Sequence, residues 1–307
     1  MGFHFKREER FKTEKTGILV RLFSGEGKVV SVYPKAFNIR HQDGLLVSLV
    51  EDATQMSALS LHVPSFFRSR KAETEAGAPA WFEKGRLLLN GFCIDFAASD
   101  LWESGPAWER VPGFLPSRIS ILEEALLLRG RRGGLLGLIH SSAEQNPFVD
   151  RASQALRRIL NKARKDSSIE DLSQLVGLGP GLTPSGDDFI AGVLLGEEIL
   201  SVLAASPKGA RSMAQQAIIP LKVNKRDMWE CLSRTNDAGK TLLFQTLQGH
   251  FPCYLIEAAK GVGGAEKLEE MADAVGRAVS HGETSGTDAL VGFLFYLKAT
   301  ANHQRRQ

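Results

Sequence analysis

The spacing of apolar residues changes about a third of the way along the chain. In the first third, apolar residues form short runs rich in Val, Leu and Ile, such as Gly17–Phe23, Lys28–Tyr33 and Leu45–Val50. Several of these runs are bounded by Gly, Asp or Pro, which is typical of β-strands. From Pro116 onwards, apolar residues recur at intervals of three and four, which indicates helices with one buried face.

We therefore predict an α+β protein with two domains. Residues 16–115 are expected to form a small antiparallel β-sheet or partial barrel, and residues 116–307 a mainly α-helical domain. Residues 1–15 carry charges of both signs and lack an apolar core, so we interpret them as a mobile arm and not as a signal peptide.

Two segments of the helical part, one hundred residues apart, share the pattern Ser-Gly-x-Asp followed by an apolar run. They are Pro184–Leu195 and Thr284–Phe295, and a glycine-rich stretch at 177–181 precedes the first. Each pattern predicts a loop that leads into a buried helix. Gly192 and Gly292 would each cost about 1 kcal/mol relative to alanine in a helix. We therefore expect the two helices to pack closely around a pseudo-twofold axis, with both N-termini together.

Helix capping is the simplest interpretation of one such segment. Ser185 and Ser285 would accept hydrogen bonds from backbone N–H groups, and Asp188 and Asp288 would bond back, as in a capping box. Capping leaves the glycine-rich stretch and Asp187 unexplained, and it gives no reason for two matched copies.

A binding or catalytic site is the second interpretation. Helix N-termini attract anions, and glycines let a ligand approach the backbone. The carboxylates would repel a bare anion, so they would hold either Mg²⁺ or the amide or ammonium protons of a substrate with a negative end. The candidate catalytic residues are Asp187, Asp188, Asp288 and His281. The candidate substrate-binding residues are Gly179, Gly181, Thr183, Ser185, Gly186, Arg234, Thr235, Ser285, Gly286 and Thr287.

Two of these candidates have a simpler alternative. Thr235 could cap the helix that follows it, whereas as part of the site it would bind an anion together with Arg234. His281 directly precedes the second signature and could be a general acid or base, although a loop histidine is commonly just solvated.

The string from Gly177 to Asp188, Gly-Leu-Gly-Pro-Gly-Leu-Thr-Pro-Ser-Gly-Asp-Asp, resembles the hallmark of a bacterial family of unknown function. That family includes a subunit of oxamate carbamoyltransferase. The segment 282–288 is similar to its C-terminal motif, Arg234-Thr235 to its central motif, and Val29–Asn38, more loosely, to its opening segment.

The resemblance implies a subunit of a carbamoyltransferase that interconverts oxalurate plus phosphate with oxamate plus carbamoyl phosphate. It also implies a role in purine nitrogen catabolism, a small anionic substrate and other carbamoyltransferase subunits as partners. The alternative is a non-catalytic subunit that uses the same cleft to sense a metabolite or to assemble the complex.

Composition excludes several other classes of protein. The net charge of +3 is small and the basic residues are spread out, so we expect no nucleic-acid binding. The longest apolar runs, about eight residues, are too short to cross a membrane. The three cysteines are far apart and form no Cys-x-x-Cys pair, which favours a reducing cytoplasm.

Overall fold

The computed structural model describes residues 9–69, 74–102, 116–140, 145–166, 168–205, 219–265 and 267–304. The chain divides into two compact units, Met1–Ser104 and Gly105–Gln307. Our predicted boundary at residue 115/116 adjoins 103–115, which lies outside the described residues.

The N-terminal unit is built on one curled sheet of ten strands. In chain order these are β1 (Glu9–Lys12), β2 (Lys15–Gly17), β3 (Gly25–Val32), β4 (Ala36–His41), β5 (Leu46–Val50), β6 (Ser60–His62), β7 (Pro79–Glu83), β8 (Arg86–Leu89), β9 (Phe92–Asp95) and β10 (Asp100–Trp102). The strand order is β1-β9-β8-β7-β3-β4-β5-β6-β2-β10. The predicted β-rich part is confirmed, but the sheet is mixed, because the pairs β1/β9, β5/β6 and β2/β10 are parallel.

The link between β1 and β2 makes the sheet curl. These strands lie far apart in the strand order, yet only Thr13 and Glu14 separate them in the chain. The N–H of Thr13 donates to Asp95 O, and that of Glu14 donates to His62 O, both at 2.9 Å. The interpretation of residues 1–15 as a mobile arm is therefore wrong for residues 9–15; residues 1–8 lie outside the described residues.

Aromatic side chains fill the interior of this curled sheet. Helix α1 (Pro64–Ser69) carries Phe66, whose ring contacts Phe11 and Phe37 edge-on, with centroids 5.3 and 5.6 Å apart. All three are buried, so α1 closes the core of the unit.

Helices form most of the C-terminal unit. They are α2 (Pro116–Arg129), α3 (Pro147–Asp166), α4 (Ser185–Ala205), α5 (Arg226–Glu230), α6 (Asp237–Leu247), α7 (Cys253–Gly264), α8 (Leu268–Val279) and α9 (Ser285–Gln304). Two short strands, β11 (Ser168–Ile169) and β12 (Lys222–Val223), pair in parallel. The predicted order, a β-rich part followed by a mainly helical part, is thus confirmed. In the described part of the chain, no helix combines the length and the apolar character needed to cross a membrane.

The two signature helices, α4 and α9, touch backbone to backbone. A Cβ atom added at Gly192 would overlap the carbonyl oxygen of Ala289, and one added at Gly292 would overlap that of Phe189. Phe189 and Ala289 occupy the same place in the two signatures, so the contacts are reciprocal, as a pseudo-twofold axis requires. The expected close packing of the two helices is confirmed, and glycine is needed at both crossing positions.

We predict that Gly192→Ala and Gly292→Ala destabilise the helical unit although alanine is the better helix former. The added methyl group has to push the helices apart, which we expect to cost about 1–3 kcal/mol. Gly276→Ala in α8 is the matched control, because its added Cβ has nothing within 4 Å. The control should gain up to about 1 kcal/mol. Urea unfolding followed by far-ultraviolet circular dichroism measures all three; equal effects at the three positions would contradict the proposed contact.

Candidate functional site

The signature serines do not cap their helices. Helix α4 begins at Ser185, and its first hydrogen bonds are accepted by Pro184 O, including one from Asp188 N at 3.2 Å. In α9 the equivalent bond runs from Asp288 N to Thr284 O at 2.9 Å. Each serine is thus the first helical residue, not the cap. The capping-box interpretation is wrong for both copies, and the serine hydroxyls and the carboxyls need another explanation.

Asp187 is fully buried, with an exposed fraction of 0%. Its Oδ1 accepts from the N–H of Gly177 at 2.8 Å, and its Oδ2 accepts from the hydroxyl of Thr235. A Cβ added at Gly239, in the first turn of α6, would overlap both Asp187 Oδ2 and the Thr235 hydroxyl. Asp187 therefore joins the glycine-rich loop to α4 and α6. Capping left Asp187 unexplained, and these contacts give it a structural role.

Burial raises the pKa of Asp187 from 3.8 to about 6, although the hydrogen bonds from Thr235 and Gly177 act in the opposite direction. The carboxyl thus changes charge near neutral pH while it stays inside the fold. The Thr235 hydroxyl donates to Asp187, so Thr235 positions this carboxyl. Its neighbour Arg234 is exposed.

Asp188 points toward the second signature. It is 1% exposed, and Ser285 donates a side-chain hydrogen bond to it. Burial, and after it the nearby charge of Asp288, raise the pKa of Asp188 well above 3.8. Burial therefore favours the protonated, uncharged form of Asp188. The hydrogen bond between Asp188 and Ser285 shows that the structure brings the two signature loops together.

Two buried oxygen atoms in the first turn of α4 lack a hydrogen-bond partner among the described residues. They are Oδ2 of Asp188 and Oγ of Ser185, and each residue is only 1% exposed. Buried polar atoms are nearly always paired, so each unpaired one calls for a specific explanation.

The second signature is held in place by the loop that follows α2, which no sequence motif had indicated as part of the site. Asp288 Oδ1 accepts from Leu135 N at 2.7 Å, and Thr287 Oγ1 accepts from Arg131 N at 2.9 Å. A Cβ added at Gly134 would overlap the carboxylate of Asp288. The available signal was the Gly-Gly pair inside the basic stretch after α2, a position where the backbone can approach another group closely.

Tyr254 is a second residue that the sequence analysis missed. Its ring stacks on that of His281, with centroids 3.8 Å apart and planes 8° apart. Burial, followed by the charges of Asp188 and Asp288, raises the pKa of the Tyr254 hydroxyl well above 10.0. His281 keeps an exposed surface, and burial of the rest of the ring lowers its pKa. Tyr254 thus contacts His281 and lies near both acids.

The remaining predicted site residues either pack against other parts of the fold or lie on a loop. Gly186 and Gly286 are equivalent, because an added Cβ would overlap Leu175 O in one copy and Ala278 O in the other. Gly179 packs against Ser185, whereas Gly181 is exposed and Thr183 is half-buried, each on the loop before α4. The glycines at 186 and 286 therefore serve helix packing.

Four helices contribute their first turn to this cluster. Asp187 and Asp188 belong to α4, Gly239 to α6, Tyr254 to α7 and Asp288 to α9. Helix N-termini carry partial positive charge and free N–H groups, so this convergence favours a negative or strongly polar ligand. Among the residues that the structure describes, no three His, Cys, Asp or Glu side chains are arranged to hold a metal ion.

Comparison with protein families shows which family the chain is related to. A family model described as oxamate carbamoyltransferase subunit AllH matches residues 175–297, and the AllH family N-terminal domain matches residues 8–101. The chain belongs to this family. The first match contains both signatures and the segment that supplies Thr235 and Tyr254, but it does not contain the loop around Gly134. No curated protein and no solved structure matches the chain.

We predict that Asp187 makes stability depend on pH in a definite direction. Its pKa is higher in the folded state, so its contribution is fully present below pH 3.8 and is lost as the pH rises to about 6. The change from 3.8 to about 6 corresponds to about 3 kcal/mol. Asp187→Asn removes this titration, so the stability of the wild type relative to the variant should fall by that amount between pH 4 and 7.

Thr235→Val is the matched variant for this experiment. It removes a hydrogen bond that lowers the pKa of Asp187, so the loss of stability should extend to higher pH. Urea unfolding at several pH values measures both variants. Parallel stability curves for wild type and Asp187→Asn would contradict the assignment.

Proposed function

We propose that this chain binds the substrate in a carbamoyltransferase of the oxamate type, and that the cluster of helix N-termini is the binding site. The family description supports the reaction class, since it names a subunit of oxamate carbamoyltransferase. The location of the site is supported by the convergence of the first turns of α4, α6, α7 and α9.

The single observation that carries this proposal is the pair of unpartnered oxygens, Asp188 Oδ2 and Ser185 Oγ. Leaving a buried polar atom without a partner costs about 1–3 kcal/mol. A protein tolerates this cost where a ligand supplies the missing bonds. Because both atoms lie in the first turn of α4, at its partly positive N-terminus, we assign that ligand to the same place as the predicted anion site.

The protonated state of Asp188 determines the chemistry that we propose. A neutral carboxylic acid donates a hydrogen bond to a carbonyl oxygen and stabilises the negative charge that develops there, as a preorganised donor does. In oxalurate, that oxygen belongs to the carbamoyl group. The helix N-termini would then hold the carboxylate or the phosphate.

The proposed transfer balances without any further reactant. A phosphate oxygen forms a bond to the carbamoyl carbon of oxalurate while the bond from that carbon to the oxamate nitrogen breaks. The proton of hydrogen phosphate ends on that nitrogen, which gives oxamate and carbamoyl phosphate. Asp188 and Ser185 contact the carbamoyl group in this scheme, and Asp187, Thr235 and Thr287 hold the loops around it.

We predict that Ser185→Ala separates stability from function. The variant removes a buried hydroxyl that has no partner, so it should fold at least as stably as the wild type, with a gain of up to about 1 kcal/mol. Binding of oxalurate should weaken about tenfold, as expected for a lost hydrogen bond to substrate. Calorimetric titration beside a melting curve gives both quantities.

Thr287→Val is the control for Ser185→Ala. Thr287 is also buried, but its hydroxyl oxygen accepts from Arg131 N, so its loss should destabilise the fold. If Ser185→Ala also melts early and binds normally, the hydroxyl has a structural role and the proposed site is wrong.

We predict that Asp188→Asn retains much of the activity, whereas Asp188→Ala loses it. Asparagine has nearly the shape of the protonated acid and can still donate to a carbonyl oxygen, so carbamoyl phosphate formation should fall less than about tenfold. Alanine removes the donor, and the rate should fall about 10²–10³-fold. The assay uses the chain together with the other subunits of the complex. If asparagine is as damaging as alanine, Asp188 acts as a charged base or a metal ligand.

The same assay distinguishes catalysis from sensing or assembly. The Asp188→Ala complex could assemble and bind oxalurate less well, yet transfer carbamoyl groups at the wild-type rate when it is saturated. That result would show that the chain senses the metabolite. If only assembly of the complex is lost, the cluster serves subunit contact, and the proposed function is wrong.

A further inference from the structure

A cavity of about 490 Å³ lies between α3 and α9 in the helical unit. Phe189, Val291 and Leu294 of the two signature helices form its floor, and Leu156 and Leu160 of α3 form the opposite wall. None of the predicted site residues lines it. Its volume lies within the range of about 300–1,000 Å³ that is typical of small-molecule sites.

The cavity is a recess and not an exposed apolar face. Leu156, Phe189 and Leu294 are 5%, 0% and 2% exposed, so the lining residues are already covered by their neighbours. Phe295 and Leu160 are half-buried at its edges. A recess of this size admits a compact body such as one or two rings, whereas a partner helix needs a long open groove.

The polar lining residues define the charge of the occupant. The polar residues of the lining are Ser153, Arg157, Lys298, Asn302 and His303, so each ionisable side chain among the described lining residues is basic. Lys298 forms an ion pair with Glu123 at 2.5 Å, which offsets its charge. Arg157 is exposed and remains the fixed cation of the lining. Its guanidinium can hold a carboxylate or a sulfonate with two parallel hydrogen bonds.

We propose that this cavity binds a small organic anion, with its apolar body against Leu160 and Phe295 and its anionic group at Arg157. Apolar burial in the recess supplies the affinity, and Arg157 selects an anion over a neutral or cationic molecule of the same shape. The proposal is independent of the proposed function, because the two sites share no residue.

The test uses 2-naphthoate and its neutral counterpart 2-naphthalenemethanol as probes in calorimetric titrations of the full chain. We expect naphthoate to bind with one site per chain and about tenfold more tightly than the alcohol. Arg157→Gln should weaken naphthoate about tenfold and leave the alcohol unchanged, because only the anion uses the guanidinium. Arg157 is exposed, so this variant should fold normally.

Ser153→Phe and Gln154→Phe form a matched pair that locates the binding site. Ser153 lines the cavity, so its phenyl group should fill the recess and abolish binding of both probes. Gln154 is its exposed neighbour on α3 and does not line the cavity, so Gln154→Phe should bind as the wild type does. Melting curves confirm that both variants fold.

Three outcomes would overturn the inference. The first is binding that Ser153→Phe leaves intact, which places the probe elsewhere. The second is equal affinity for the two probes, with no effect of Arg157→Gln, which removes the selection for anions. The third is a change of oligomeric state in Ser153→Phe by analytical ultracentrifugation, which would identify the recess as a contact between copies of the chain.

Discussion

The helical unit depends on the backbone contact between α4 and α9. Gly192 and Gly292 allow each helix to pack against a carbonyl oxygen of the other, an approach that no side chain permits. This contact lies about one turn from Asp188 and Asp288, so it determines how far apart the two N-termini are. Because Asp188 reaches Ser285 across this interface, the chemistry of the cluster requires the two glycines as much as it requires the acids.

The position of the acids also explains how the fold tolerates them. A buried carboxylate is strongly disfavoured unless it is paired or protonated. Asp187 receives hydrogen bonds from Gly177 and Thr235, whereas burial and the neighbouring Asp288 raise the pKa of Asp188 and favour its protonated form. The first turns of four helices add positive potential around them. The cluster therefore combines Asp187, a structural acid, with Asp188, whose Oδ2 is available for a ligand.

Local sequence patterns predicted the change from a β-rich to a mainly helical part and the two signature helices, because hydrophobic period and glycine spacing act within one element. The pairing of α4 with α9 could also be predicted, since the two copies repeat the same glycine. The role of Asp187 could not, because its partner Thr235 lies 48 residues away in the chain. The contact of Leu135 with Asp288 spans 153 residues, and the glycine pair before Leu135 indicates a close approach without indicating which residue approaches.

The two signatures have equivalent backbone positions but different hydrogen-bond partners. This difference makes the site asymmetric. Ser285 donates to Asp188, whereas the equivalent Ser185 has no partner among the described residues. Asp187 occupies the position that Thr287 has in the second copy, and each is held by a different loop. A symmetric pair of acids would accept a substrate in two orientations. Because the Ser185 hydroxyl is left for a ligand whereas Ser285 is engaged by Asp188, an asymmetric molecule such as oxalurate would have a single preferred orientation under the proposed function.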